Sequence, residues 1–133
     1  HCKNKIKNHI DKLNGAKIEN ILFHDIKILF HKEGKIIFNN LEILKNKGYF
    51  KKIGISIYEP SDLNNIPLED IQIVQLPLSI YDQRMLQSGA IKFLRDRMID
   101  IHARSIFLQG LFLEETKNWP SFLTSEFHNH HNH

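Results

Sequence analysis

Two hydrophobic rhythms take turns along this chain. Ile6, Ile10 and Leu13 recur at i, i+4 and i+7, the face of a helix from Lys3 to Leu13 with Gly15 as its stop. Ile18 to His24 follows as a strand, dense in apolar residues towards its end. Ile37, Leu41 and Leu44 mark the next helical face, and Gly48 stands where a C′ glycine would end it. Lys52 to Ile57 is apolar at alternate positions, the period of a second strand. A short turn starts near Ser61, which can cap it, and closes at Asn64-Asn65-Ile66-Pro67. Ile71 to Gln75 reads as a third strand stopped by Pro77. Ser88 can cap a helix from Gly89 to about Arg97 that buries Ala90, Phe93 and Leu94, and Ile99 to Arg104 is the fourth strand. Beyond Leu113 the chain is polar until Trp119-Pro120, where Phe122 and Leu123 dock a last turn.

Four strands alternating with four helices predict an α/β fold with a parallel sheet built from βαβ units. No Gly/Ser-rich linker or internal repeat divides the chain, so residues 1–127 form one domain. The end, His128 to His133, alternates His with Asn. It reads as an artificial purification tail; as a native tract it would hold nickel or zinc loosely, without preorganised geometry.

Composition narrows the function classes. The 133 residues are 41% hydrophobic and 25% charged, ordinary for a soluble globular domain. The net charge of +3 comes from 14 dispersed Lys beside 4 Arg, which argues for solvated helix faces and against nucleic acid. No apolar run approaches the ~20 residues of a membrane span. One cysteine, Cys2, forms no internal disulfide, has no context for an activated thiolate, and leans the protein towards the cytoplasm. A start at His1, with neither Met nor a signal-peptide pattern, fits a processed or truncated product or a piece of a longer gene.

Polar residues follow apolar runs at four strand ends: His24, Ser56, Gln75 and Arg104. A polar side chain buried without a partner costs free energy, so such strand-end groups face a cleft, a ligand or a hydrogen-bonding neighbour. In parallel α/β architectures that end of the sheet is where active sites are built. Each residue also has a plainer reading. A strand-end His is often a hydrogen-bonded structural residue, Ser56 and Gln75 can satisfy backbone groups, and Arg104 can pair with Asp25 or Asp82. Asp100 and His102 alternate on a strand and can pair across a surface. No zinc spacing, phosphate loop or GxSxG elbow is present.

Taken in order, Phe23-His24-Asp25, Gly54-Ile55-Ser56-Ile57-Tyr58, Val74-Gln75 and Ala103-Arg104-Ser105 with Gly110 resemble the fourth to seventh strands of aldo-keto reductases. The resemblance covers about residues 5 to 115 and implies half of a TIM-type (β/α)8 barrel, about four strands with outer helices. It implies that His24 hydrogen-bonds the substrate carbonyl, and that Ser56 and Gln75 hold the nicotinamide carboxamide of NADP or NAD. Ser105 and Gly110 would then approach the cofactor diphosphate, where glycine permits close backbone contact. Two positions depart from the family pattern. Ile57 stands where Asn is frequent, and Arg104 stands where an aromatic residue often stacks on the nicotinamide. An Arg could cover that ring or bind a substrate carboxylate.

The family's catalytic Asp, Tyr and Lys come from strands expected before residue 1, and its adenine-phosphate pocket from after the eighth strand. Neither Tyr58 nor Tyr81 takes the Tyr role by resemblance. The expectation is thus a fragment of an NAD(P)H-dependent carbonyl reductase, incomplete and inactive alone. The alternative is a non-catalytic half-barrel module that self-assembles or weakly binds a ligand. Two open edges and an uncovered inner face also predict a homodimer or higher oligomer, closing about eight strands.

Overall fold

The computed structural model describes residues 2–13 and 17–120. Helix α1 (Cys2–Asp11) leads into β1 (Asn20–Phe23), a 3₁₀ segment (Ile26–Phe30) and helix α2 (Lys32–Asn46). Strand β2 (Lys52–Ser56), 3₁₀ turns over Pro60–Asn65 and Leu68–Asp70, and β3 (Ile73–Pro77) follow. Short helices α3 (Arg84–Gln87) and α4 (Ala90–Asp96) precede β4 (Asp100–Arg104), and two further 3₁₀ turns cover Leu108–Leu113 and Thr116–Asn118. The four strands form one parallel sheet in the order β1-β2-β3-β4, as the alternating pattern predicts.

The two faces of the sheet differ. Phe23, Ile53, Ile55, Val74 and Leu76 point to the helical side, where Leu41 and Leu44 of α2 and Ala90 and Leu94 of α4 complete the buried core. Helix α2 ends as its sequence predicts. Gly48 takes φ +79°, its N–H bonds the Lys45 carbonyl, and the Tyr49 N–H reaches back to Leu44, a Schellman closure.

The other face carries Lys52, Gly54 and Ser56 on β2, Ile73 and Gln75 on β3, and Asp100, His102 and Arg104 on β4, by register and alternation. Register pairs Gly54 with Ile73 and Ser56 with Gln75. Lys52 and Asp100 form an ion pair. Asp100 is therefore committed to Lys52 and not to His102, because parallel register carries the two charges to the same face across β3.

Several local readings are corrected. Helix α1 ends at Asp11, and Leu13 is exposed while Gly15 lies outside the described residues. The turn after β2 is capped by Glu59 and not Ser61, because Glu59 and Asp62 exchange side-chain to backbone hydrogen bonds in a capping box. Pro77 is the last residue of β3 instead of a stop before it: at a strand end its missing N–H breaks no ladder. Ser88 closes α3, a helix too short to show a periodicity, and its Oγ still accepts the Ala90 N–H at 3.3 Å. In α4, Ala90 and Leu94 are buried, whereas Phe93 is half-buried beneath the Arg97 guanidinium. Phe122, Leu123 and the His/Asn tail lie outside the described residues.

Candidate active site

His24 stands one residue beyond β1, and Tyr58 two residues beyond β2. Their side chains meet edge to face, with Tyr58 Oη 3.4 Å from His24 Nε2 and the rings 73° apart. Ser56 and Tyr58 are separated by two positions, so the strand period points both to the face that holds Gln75. Ser56 is 4% exposed, and its Oγ donates to Gln75 Oε1 at 3.3 Å. That bond leaves the Gln75 NH₂ without a hydrogen-bond acceptor among the described residues.

Arg104 closes the cluster from β4. Its guanidinium carbon lies 4.2 Å from the centroid of the Tyr58 ring, a cation–π contact, and Nη2 donates to the Ile57 carbonyl at 3.3 Å. Its Nε is buried with no hydrogen-bond partner among the described residues. The expected pairing with Asp25 or Asp82 does not occur. Asp25 accepts the Lys27 N–H at the head of the 3₁₀ segment, and Asp82 pairs with Arg84 at 3.0 Å. Arg104 is thus drawn to a ring face and a carbonyl on the neighbouring strand's extension.

Tyr58 is held by its backbone as well. Asp62 Oδ2 accepts the N–H groups of both Tyr58 and Glu59 at 2.9 Å, and Glu59 is paired in turn with Arg84. Replacing Asp62 with Ala should lower stability by about 1 kcal/mol, as loss of a helix cap does. A urea midpoint unchanged from wild type would mean that the capping box does not form in solution.

His24, Ser56 and Tyr58 line one cleft of about 430 Å³, with Asp25, Glu59 and Asp62 on its rim. Gln75 joins this group through Ser56, and Arg104 through Tyr58. Ser105 and Gly110 follow in the loop after β4, and neither lines that cleft. That loop takes left-handed backbone at Ser105 (φ 60°), Leu108 (φ 44°), Gln109 (φ 59°) and Gly110 (φ 92°). The buried Trp119 anchors it by donating from Nε1 to the carbonyls of Leu111 and Glu114. A larger hollow between the Pro60–Asn65 turn and α4 is lined by no titratable side chain.

A nicotinamide cofactor is what the sequence resemblance implies, and the residues present fit it. Ser56 and Gln75 put a hydroxyl and a half-buried primary amide side by side, a donor and acceptor set that a carboxamide complements. A Cβ placed on Gly110 would meet nothing within 4 Å, so a phosphate has room to approach that backbone. Ile57, where the resemblance makes Asn frequent, is fully buried in the core on the opposite face. Tyr58 is the residue that sequence reasoning set aside. Its place two positions after Ser56, beyond an alternating strand, was the available signal.

No curated protein sequence matches the chain significantly. Among solved structures, the apo form of Gox0644 superposes with a TM-score of 0.61 at 20% identity, over 85% of this chain and 41% of that one. PA4992 of Pseudomonas aeruginosa, assigned to the aldo-keto reductases, superposes with a TM-score of 0.57 at 14% identity, over 79% of this chain and 41% of its own. The fold is therefore that of a partial barrel, and the chain spans less than half the length of either structure. The family model for aldo/keto reductases matches residues 1–130, and the chain belongs to that family.

Proposed function

We propose that this chain carries part of the substrate and nicotinamide face of an NAD(P)H-dependent carbonyl reductase. The observation that supports it best is the convergence of His24, Ser56 and Gln75 at the ends of successive parallel strands, with His24 and Ser56 in one cleft. His24 would donate from Nε2 to the substrate carbonyl oxygen. Ser56 and Gln75 would hold the nicotinamide carboxamide, so that one ring face is turned towards the carbonyl carbon. When bound, the reduced cofactor supplies the hydride. Arg104 would keep Tyr58 and the Ile57 carbonyl in place beside that ring, and the loop of Ser105 and Gly110 would receive the diphosphate. The catalytic Asp, Tyr and Lys of the family have no matching position in this sequence, so the reading gives the chain binding without turnover by itself. It also puts the protein in the cytoplasm, the compartment towards which its single cysteine leans.

A second reading is a non-catalytic half barrel that pairs with another copy. It is favoured by apolar side chains left in solvent around β4: Met98 is 90% exposed, Leu113 80% and Phe107 60%. Strand β4 is also an open edge of the sheet, and open edges promote association. Titrating NADPH, then NADH, into the purified chain at a known oligomeric state separates the readings. Saturable binding, seen in cofactor fluorescence and in Trp119 emission, supports the first. Trp119 is a suitable reporter because its indole anchors the candidate diphosphate loop. No binding at millimolar cofactor, with a dimer by light scattering, supports the second.

A further inference from the structure

We infer that Tyr58 is a second hydrogen-bond donor to the substrate oxygen, forming with His24 a two-donor cradle in the cleft. The inference rests on the carbonyl-binding reading of His24, and it assigns a residue that the family resemblance leaves without a role.

Geometry is the first argument. Oη and Nε2 are 3.4 Å apart, at the outer limit of a hydrogen bond, so their mutual contact is weak and costs little to exchange for a better acceptor. Two donors at that separation can both reach one oxygen placed about 2.8 Å from each, the arrangement that stabilises a carbonyl as negative charge grows on it. Both groups line the same cleft.

Fixation is the second argument. The Tyr58 backbone is tied to Asp62, and its ring lies under the Arg104 guanidinium. Tyr58 is 47% exposed, and its ring is held on one side. Arg104 is therefore a positioning residue for Tyr58.

The test uses 4-(dimethylamino)cinnamaldehyde, an uncharged aldehyde whose absorption moves to longer wavelength when its carbonyl oxygen accepts hydrogen bonds. It needs neither cofactor nor turnover. The wild-type chain should bind it with a red shift. Tyr58→Phe keeps the ring on Arg104; it should lose about half the shift and bind roughly tenfold more weakly, the loss of one hydrogen bond. His24→Ala should lose the other half. A full red shift in Tyr58→Phe, with far-UV circular dichroism unchanged, overturns the inference, as does a wild-type chain that binds the aldehyde unshifted. NADPH titration of the same samples tests the underlying reading separately. NADPH binding without a red shift retires the Tyr58 cradle alone, whereas a Tyr58-dependent shift without NADPH binding keeps the cradle and retires the cofactor role. Absence of both retires both.

Discussion

Gly54→Ala is expected to lower the stability of this chain by about 3 kcal/mol, the upper end of what overpacking costs. The reason is local and geometric. A Cβ on Gly54 would stand 2.3 Å from the Ile73 carbonyl oxygen, 3.1 Å from the Ile73 carbonyl carbon and 2.4 Å from the Ile73 Cγ2. Rotating the Ile73 side chain relieves only the last of these. The first two belong to the backbone of β3, which is held by ladders to β2 and β4. Strand β2 is tied on both sides too, so it cannot retreat without stretching a row of hydrogen bonds. Gly48→Ala provides the comparison, since nothing lies within 4 Å of a Cβ there. It pays only for a left-handed residue at φ +79°, about 1 kcal/mol. Urea unfolding followed by circular dichroism distinguishes the two. A Gly54→Ala chain no less stable than Gly48→Ala would mean that β2 and β3 are not packed in this register.

That clash also marks the line between what was legible in the sequence and what was not. The strands and α2 announce themselves because each must bury one face, and burial imposes a period that a reader can count. Ile37, Leu41 and Leu44 with Gly48 gave the helix and its end; Ile53, Ile55 and Ile57 gave the strand. Register, which alternation alone does not fix, then puts Ser56 and Gln75 on one face. Contacts made by tertiary closure leave no such trace. Arg104 and Tyr58 are far apart in sequence, and nothing near Arg104 says that it will settle on a ring in preference to a carboxylate. Asp25 and Asp82 were attractive partners on charge alone, but each was already taken by a neighbour within two residues. Glu59 displaced Ser61 as a cap for a related reason: the reciprocal bond with Asp62 satisfies two backbone donors, where a lone hydroxyl satisfies one. The family resemblance pointed to the strand ends, and it carried a role for His24 and none for Tyr58.

Gln75→Ala should weaken NADPH binding about tenfold on the proposed reading, and Ser56→Ala should weaken it nearly as much. The argument runs through the hydrogen bond between them. Ser56 Oγ donates to Gln75 Oε1, which fixes the amide plane and leaves its NH₂ to meet a carboxamide oxygen. One hydrogen bond is worth about 1 kcal/mol net, and an amide left free to rotate gives part of that back as conformational entropy. Removing the hydroxyl therefore damages binding twice, by deleting a contact and by releasing Gln75. If the two act as one unit, the double variant will bind scarcely worse than Gln75→Ala, with a coupling of 0.5 kcal/mol or more, the range found for residues in direct contact. Strict additivity would mean that Ser56 and Gln75 meet the cofactor independently and that their mutual bond is incidental. Unchanged binding in both single variants would remove the pair from the site. Their bond would then serve the inner layer of the sheet alone, satisfying the hydroxyl of a serine that is 4% exposed beside an amide with no other use.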